Sequence, residues 1–271
     1  MPELPEVETT RRGIERALRG EQIRELKVQN RRLRWPVDAA LPRLVAGQRI
    51  EAVERRAKYL LLRLTQGTMI VHLGMSGSLR VLPPDTARLL HDQFDLVLDS
   101  GQVLRFNDPR RFGSLHHTAD DPLQHPLLRH LAPEPLEQDF DTDYLWRITR
   151  RRRAAIKQVL MNGRLVTGVG NIYASEALFR AGIRPRRQAG SLTRAECERL
   201  VKGIRTVLRL AIRAGGTTLR DYVGTDGRPG YFRQKLYVYE RAGESCRVCG
   251  TPIRQFTQGQ RSTYFCPRCQ H

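Results

Sequence analysis

The sequence predicts an α+β multidomain protein, with an antiparallel β unit first, a helical unit second and a small metal-binding module last. Three observations predict it. Short apolar or alternating runs separated by turn signals fill residues 22–115. Stretches of helical period fill residues 144–214. Four of the five cysteines, Cys246, Cys249, Cys266 and Cys269, close the chain as Cys-x2-Cys-x16-Cys-x2-Cys. A chain of 271 residues is long enough for two or three units.

The first element is a helix over residues 7–18, with Val7, Ile14 and Leu18 on one face and Gly20 placed to end it. The octet before and into it, Met1-Pro2-Glu3-Leu4-Pro5-Glu6-Val7-Glu8, carries two readings. Pro5 suits a first helical turn, and Glu3, Glu6 and Glu8 complement its positive end. Alternatively, a small second residue permits removal of Met1 and leaves Pro2 as a secondary amine. An α-amino group titrates near 7.7–8.0, against about 10.4 for lysine, so much of it is nucleophilic at cellular pH. Attack of such an amine on a sugar C1′ or an aldehyde gives an iminium ion, an electron sink for elimination.

Strands follow over residues 59–64, 69–73, 78–82, 94–98 and 103–106, divided by turns at 66–67, 74–77, 83–85 and 99–101. That texture predicts an antiparallel sandwich or barrel. Residues 122–143, rich in proline and acid, read as a linker. Helical stretches are expected over 144–162, 172–182 and 193–214, then a long loop over 215–230 and the cysteine module from about Tyr237.

Lys+Arg outnumber Asp+Glu 47 to 28, for a net charge of +19 and a pI near 10.7. Such an excess attracts polyanions, and its spread through folded segments favours nucleic acid over a membrane surface or a ribosome-like role. No apolar run approaches the roughly 20 residues of a membrane span, and the start has no signal-peptide pattern, so a cytosolic protein is expected. Only Lys27, Lys58, Lys157, Lys202 and Lys235 are lysines. Lysine, unlike arginine, can lose its proton in a suitable site. The paired Cys-x2-Cys spacing predicts one zinc in a closed, structural shell rather than disulfides. Cys197 reads as a small buried apolar residue.

Two further constellations suggest chemistry. The glycines of residues 166–172 precede a helix start, which binds anions, and follow the run Arg150–Arg153 and Lys157. Together they read as a phosphate clamp using Arg152, Lys157 and Asn171, or as a solvated cationic helix face. The turns at 72–77 and 108–113 carry Met75, Arg110 and Phe112. These side chains can wedge into a base stack, or tuck beneath their own turns as core.

The ordered segments PELPEVET, RRAKYLL, HLGMSGSL, DPRRFG, TGVGNIYASEALF, AGIRP, GGTT, DGRPGYF and the four-cysteine end resemble bacterial formamidopyrimidine-DNA glycosylase over essentially the whole chain. The resemblance implies an N-terminal β-sandwich (residues 1–130), a helix–two-turn–helix domain (131–232) and a zinc ribbon (233–271). It implies excision of oxidised purines, such as 8-oxoguanine and formamidopyrimidines, from damaged duplex DNA, followed by strand scission at the abasic site. The family's nucleophile falls on Pro2, its acid on Glu3, its catalytic lysine on Lys58 and its ribbon arginine on Arg261. DNA contacts fall on His91, Arg110, Arg152 and Asn171, and void-filling side chains on Met75, Arg110 and Phe112. Residues 217–231 match the loop that closes over the flipped base. At Arg151–Arg153 the chain has arginine where relatives often carry lysine. A monomer with one structural Zn2+, no nucleotide cofactor and no membrane partner is expected. The alternatives are an endonuclease VIII-type enzyme for oxidised pyrimidines and a non-catalytic zinc-ribbon DNA-binding protein.

Overall fold

The computed structural model describes residues 2–216 and 232–271. They form two compact units, one of residues 2–129 with 214–216 and one of residues 130–213 with 232–271.

The first unit opens with α1 (Leu4–Leu18), begun by Glu3 as N-cap and Pro5 in the first turn. The helix therefore starts three residues before the apolar periodicity does. Eight strands follow: β1 (Ile23–Val28), β2 (Ile50–Arg56), β3 (Tyr59–Leu64), β4 (Thr68–His72), β5 (Ser78–Leu82), β6 (Asp92–Leu98), β7 (Val103–Asn107) and β8 (Ser114–Thr118), with a short helix α2 (Leu41–Val45) between β1 and β2. They make two antiparallel sheets, ordered β1-β6-β7-β5 and β2-β3-β4-β8. Leu26, Phe94, Leu96, Phe106 and Leu79 from one sheet share a core with Val53, Leu60, Leu62, Val71 and Leu115 from the other. Val7, Ile14 and Leu18 of α1 join it. Of the sandwich and barrel expected from the strand texture, the unit is a sandwich.

β1, β2, β8 and α2 fall outside the elements that the sequence pattern predicts. In β2 a register shift between Ile50 and Ala52 puts Ile50 and Val53, three apart, on the buried side. Such a bulge erases the period-two signal that marks a strand. β8 reads Ser-Leu-His-His-Thr, and only Ser114 and Leu115 are buried.

In the second unit, the helical stretch expected over 144–162 is two helices, α3 (Thr142–Thr149) and α4 (Ile156–Leu160). Asp141 caps α3, its Oδ1 accepting the Tyr144 N–H at 2.7 Å. The break falls on the arginine run. The Arg150 guanidinium stacks 3.4 Å from the Trp146 ring centroid, Arg151 takes a left-handed φ of 57°, and Ala155 bridges to Gln188 instead of continuing the helix. The segment read as a linker is pinned rather than free: Phe140 is fully buried, and Arg205 donates to the carbonyls of Pro135, Glu137 and Phe140. α5 (Asn171–Ala181) is buried along most of its length and packs on α6 (Arg194–Arg213). Cys197 is buried on α6, as expected. The hairpin β9 (Arg254–Gln258) and β10 (Arg261–Phe265) completes the unit. No helix among the described residues is long and apolar enough to cross a membrane.

Candidate functional site

At the N-terminus the helix-start reading of the opening octet holds. Glu3 and Glu6 form a reciprocal capping box at the start of α1, with the Glu3 backbone N–H donating to Glu6 Oε2 at 2.9 Å. Glu3 is 2 % exposed, so capping fixes an acidic side chain directly beside Pro2. One turn on, Glu8 accepts from Arg55 Nε at 3.2 Å, and Arg55 also donates to the Ala57 carbonyl at 3.0 Å. Ala57 and Lys58 are the two-residue turn between β2 and β3, with Ala57 at φ 55°. An alanine in the left-handed region is strained, and the bond from Arg55 holds it there. The brace therefore runs from α1 through Glu8 and Arg55 to the turn that carries Lys58.

His72 sits across the register from Tyr59, with the rings 4.8 Å apart. Burial, followed by the charges of Lys58, Arg34 and His116, lowers its pKa to about 4. The imidazole is therefore neutral near pH 7. Its Nδ1 accepts the Gly74 N–H at 3.0 Å, which leaves the proton on Nε2. In the sequence His72 reads only as the start of a turn; the strand pairing that sets it beside Lys58 is the signal that would have found it.

The Met75 turn and the Arg110–Phe112 turn meet at Asp108, which is fully buried. Its Oδ1 accepts from Ser76 Oγ at 2.8 Å and its Oδ2 from the Gly113 N–H at 2.8 Å. Its own N–H donates to the carbonyl of His91, whose φ is 76°. Phe112 is 42 % exposed, with the Arg110 guanidinium 5.1 Å above its ring. Of the two readings for this turn, the exposed one holds for Phe112, whereas Met75 is half-buried.

In the second unit, Arg152 is exposed at the break between α3 and α4, and Arg261 is exposed at the start of β10. Lys157, expected to be a phosphate ligand, is 1 % exposed. Its Nζ donates to Asn171 Oδ1 and Thr263 Oγ1, both at 2.6 Å, and to the Ser262 carbonyl at 3.3 Å. The burial has a physical reason: a buried ammonium needs its donors satisfied, and α5 and β10 supply the acceptors. Asn171 Nδ2 donates to the same Ser262 carbonyl at 3.0 Å, and Thr263 Oγ1 donates to the Arg261 carbonyl at 3.3 Å. Lys157 thus ties Asn171, an expected DNA contact, to β10 two residues beyond Arg261. Glu176, inside the TGVGNIYASEALF segment, is buried on α5 and accepts the N–H groups of Tyr237, Val238 and Tyr239, each at 2.9 Å.

The four cysteine sulfurs all lie within 4.8 Å of one another. Cys249 and Cys266 are 3.5 Å apart and Cys246 and Cys269 3.9 Å. The edge of a tetrahedron with Zn–S bonds of about 2.3 Å is roughly 3.8 Å, so the set fits one structural zinc. A hydrogen bond from Thr251 lowers the Cys249 thiol to about 6, and burial raises Cys266 and Cys269. A divalent cation lets the thiolates coexist. The Cys266 N–H is taken by Gln270 at 2.8 Å, and Phe179, Val238, Ile253 and Tyr264 pack beside the knuckles. The loop expected over the flipped base, residues 217–231, lies outside the described residues.

Three family profiles match the chain: the formamidopyrimidine-DNA glycosylase N-terminal domain over residues 1–115, the formamidopyrimidine-DNA glycosylase H2TH domain over 131–223, and a zinc finger found in FPG and IleRS over 243–271. Formamidopyrimidine-DNA glycosylases of Thioalkalivibrio sulfidiphilus and Stutzerimonas stutzeri are 59 % and 57 % identical over 270 residues, covering 100 % of both chains in each pair. The crystal structure of MutM (FPG) from Thermus thermophilus superposes with a TM-score of 0.88 at 40 % identity, covering 99 % of this chain and 98 % of that one. A Lactococcus lactis FPG mutant in complex with DNA containing Fapy-dG superposes at 0.93 and 33 % identity, covering 100 % of both.

Proposed function

The chain belongs to the formamidopyrimidine-DNA glycosylase family, and we propose that it removes oxidised purines from duplex DNA through the nitrogen of Pro2. It is a base-excision-repair DNA glycosylase and binds one structural zinc. The observation that carries the residue-level reading is the reciprocal capping of Glu3 and Glu6, which holds an acid beside the terminal imino group.

In this reading Met1 is removed and the Pro2 lone pair attacks C1′ of the damaged nucleotide. Glu3 gives a proton to the sugar ring oxygen as the ring opens. The base departs with the electron pair of the glycosidic bond and takes up a proton. The iminium joining Pro2 to C1′ acidifies the C2′ hydrogen, and its loss expels the 3′ phosphate. A second elimination expels the 5′ phosphate. Lys58 assists at the sugar and its phosphates. Met75, Arg110 and Phe112 fill the space left by the flipped nucleotide, whose extrusion costs about a few kcal/mol. His91, Arg152 and Asn171 position the backbone, Lys157 supports Asn171 from inside, and Arg261 reaches towards the lesion. Zinc, with a closed shell of thiolates, orders the hairpin that carries Arg261 and takes no part in the chemistry.

The proposed division assigns the nucleophile, the void-filling turns and His91 to residues 1–130, the phosphate contacts of Arg152 and Asn171 to 131–232 and the ribbon to 233–271. The enzyme is proposed to act as a monomer in the cytoplasm. Nicking assays on duplexes with defined lesions test the substrate class. Preferred cleavage at 8-oxoguanine and formamidopyrimidines is expected; cleavage of thymine glycol in preference to both replaces the reading with an oxidised-pyrimidine enzyme.

A further inference from the structure

The turns carrying Met75 and Phe112 come from different places in the sandwich, after β4 and after β7, yet their backbones are in contact. A Cβ added to Gly74 would lie 2.4 Å from the Gly113 nitrogen and 2.4 Å from the Phe112 carbonyl carbon. A Cβ on Gly113 would lie 2.5 Å from the Phe106 ring and 2.9 Å from the His72 carbonyl oxygen. No side chain fits at either position without moving backbone. Across this seam lies the Asp108 carboxylate. Its Oδ1 accepts from Ser76 in the first turn at 2.8 Å, and also from the Arg110 N–H in the second at 3.3 Å. Its Oδ2 accepts the Gly113 N–H at 2.8 Å. Its backbone carbonyl accepts from Gln93 Nε2 at 2.9 Å and from the Arg111 N–H at 3.3 Å. Ser76 is 3 % exposed, so this hydroxyl-to-carboxylate bond is shielded from water.

We propose that Asp108 is a positioning residue that joins the Met75 and Arg110–Phe112 turns into a single wedge, and that Ser76 is its link to Met75. The inference rests on the void-filling role given above to Met75, Arg110 and Phe112, and deepens it. Two turns held independently would each have to be ordered against the opened duplex; one braced block meets that cost once, before binding. Asp108 and Ser76 need touch no DNA for this. Ser76 acts through Met75, so its effect must vanish when Met75 is absent, whereas Asp108 also holds the Arg110–Phe112 turn directly.

A double-mutant cycle of Ser76→Ala and Met75→Ala tests this, using a duplex with 2-aminopurine opposite an 8-oxoguanine lesion. The readouts are the stopped-flow fluorescence rise as the stack opens and the single-turnover rate of base release. Ser76→Ala is expected to slow both at least tenfold in the otherwise intact enzyme and less than twofold in the Met75→Ala background. Duplex affinity should stay within about threefold, because phosphate contacts supply most of it. Equal effects in the two backgrounds, or no effect of Ser76→Ala in the intact enzyme, overturn the proposal. Asp108→Asn, which also loosens the Arg110–Phe112 turn, should lose in the Met75→Ala background only the part of its effect that passes through Ser76; an effect undiminished there overturns the proposal. Failure of the unmodified enzyme to release 8-oxoguanine would instead refute the functional reading itself, so the two failures are separable.

Discussion

Replacing Lys157 with methionine separates a phosphate ligand from an internal brace. Lys157→Met keeps a side chain of similar length and removes only the ammonium. Its two 2.6 Å bonds, to Asn171 and Thr263, are worth about 1.5–3 kcal/mol each as charge-assisted contacts. Together they contribute roughly 3–6 kcal/mol net of desolvation, and the acceptors left behind a side chain 1 % exposed lose their donor. Lys157→Met is therefore expected to lower the melting temperature by roughly 6–20 °C. Binding gives the sharper readout. A cation on a phosphate contributes about 0.9 to the slope of log affinity against log salt. Fluorescence anisotropy on a duplex carrying a stable abasic analogue, titrated over about 50–200 mM salt, reads that slope. Lys157→Met should weaken binding at every salt concentration through a displaced Asn171 while leaving the slope unchanged. Arg152→Met, at the exposed break between α3 and α4, should lower the slope by about 0.9. An equal drop for Lys157→Met would refute the internal role.

Two other outcomes follow from the sites described. The folded chain refuses His72 a proton down to about pH 4, whereas the unfolded chain accepts it near 6.5. The unfolded state therefore binds more protons between those values, and stability falls as pH drops from about 6.5 to 4, by up to about 3 kcal/mol from this residue. Urea unfolding at pH 7 and pH 4.5 should show that loss, and His72→Gln should shrink it. Stripping zinc removes a stabilisation of about 10–16 kcal/mol for a structural site, more than the small cluster around Phe179, Val238, Ile253 and Tyr264 can replace. Chelation or Cys249→Ser should abolish nicking, with metal analysis falling from one zinc per chain and the circular dichroism of α5 and α6 largely retained.

Much of this arrangement is legible in the chain. The strands of β3 and β5 follow the pattern of their residues closely, and the cysteine spacing specifies the metal site without any fold. What escapes is what depends on three-dimensional neighbours. The bulge in β2 breaks its alternation. The arginine run reads as one continuous helix until Arg150 stacks on Trp146 and Arg151 turns left-handed. Lys157 looks like surface charge because its acceptors, Asn171, Ser262 and Thr263, lie far along the sequence. Asp108 and Glu176 lie inside the DPRRFG and TGVGNIYASEALF segments, yet their work as acceptors of backbone N–H groups becomes visible only in the fold. Pro2 and Glu3 are legible as a helix start, and the cap that begins α1 fixes Glu3 beside Pro2, the residue proposed as nucleophile.

The central claim, that the Pro2 nitrogen forms the covalent bond to the sugar, is tested most directly by borohydride reduction during cleavage of an 8-oxoguanine duplex, followed by mass spectrometric location of the adduct. A single adduct is expected on the N-terminal peptide at Pro2, lost when an extra residue precedes Pro2 while duplex binding persists. An adduct on Lys58, or cleavage with no trappable adduct at all, would contradict it.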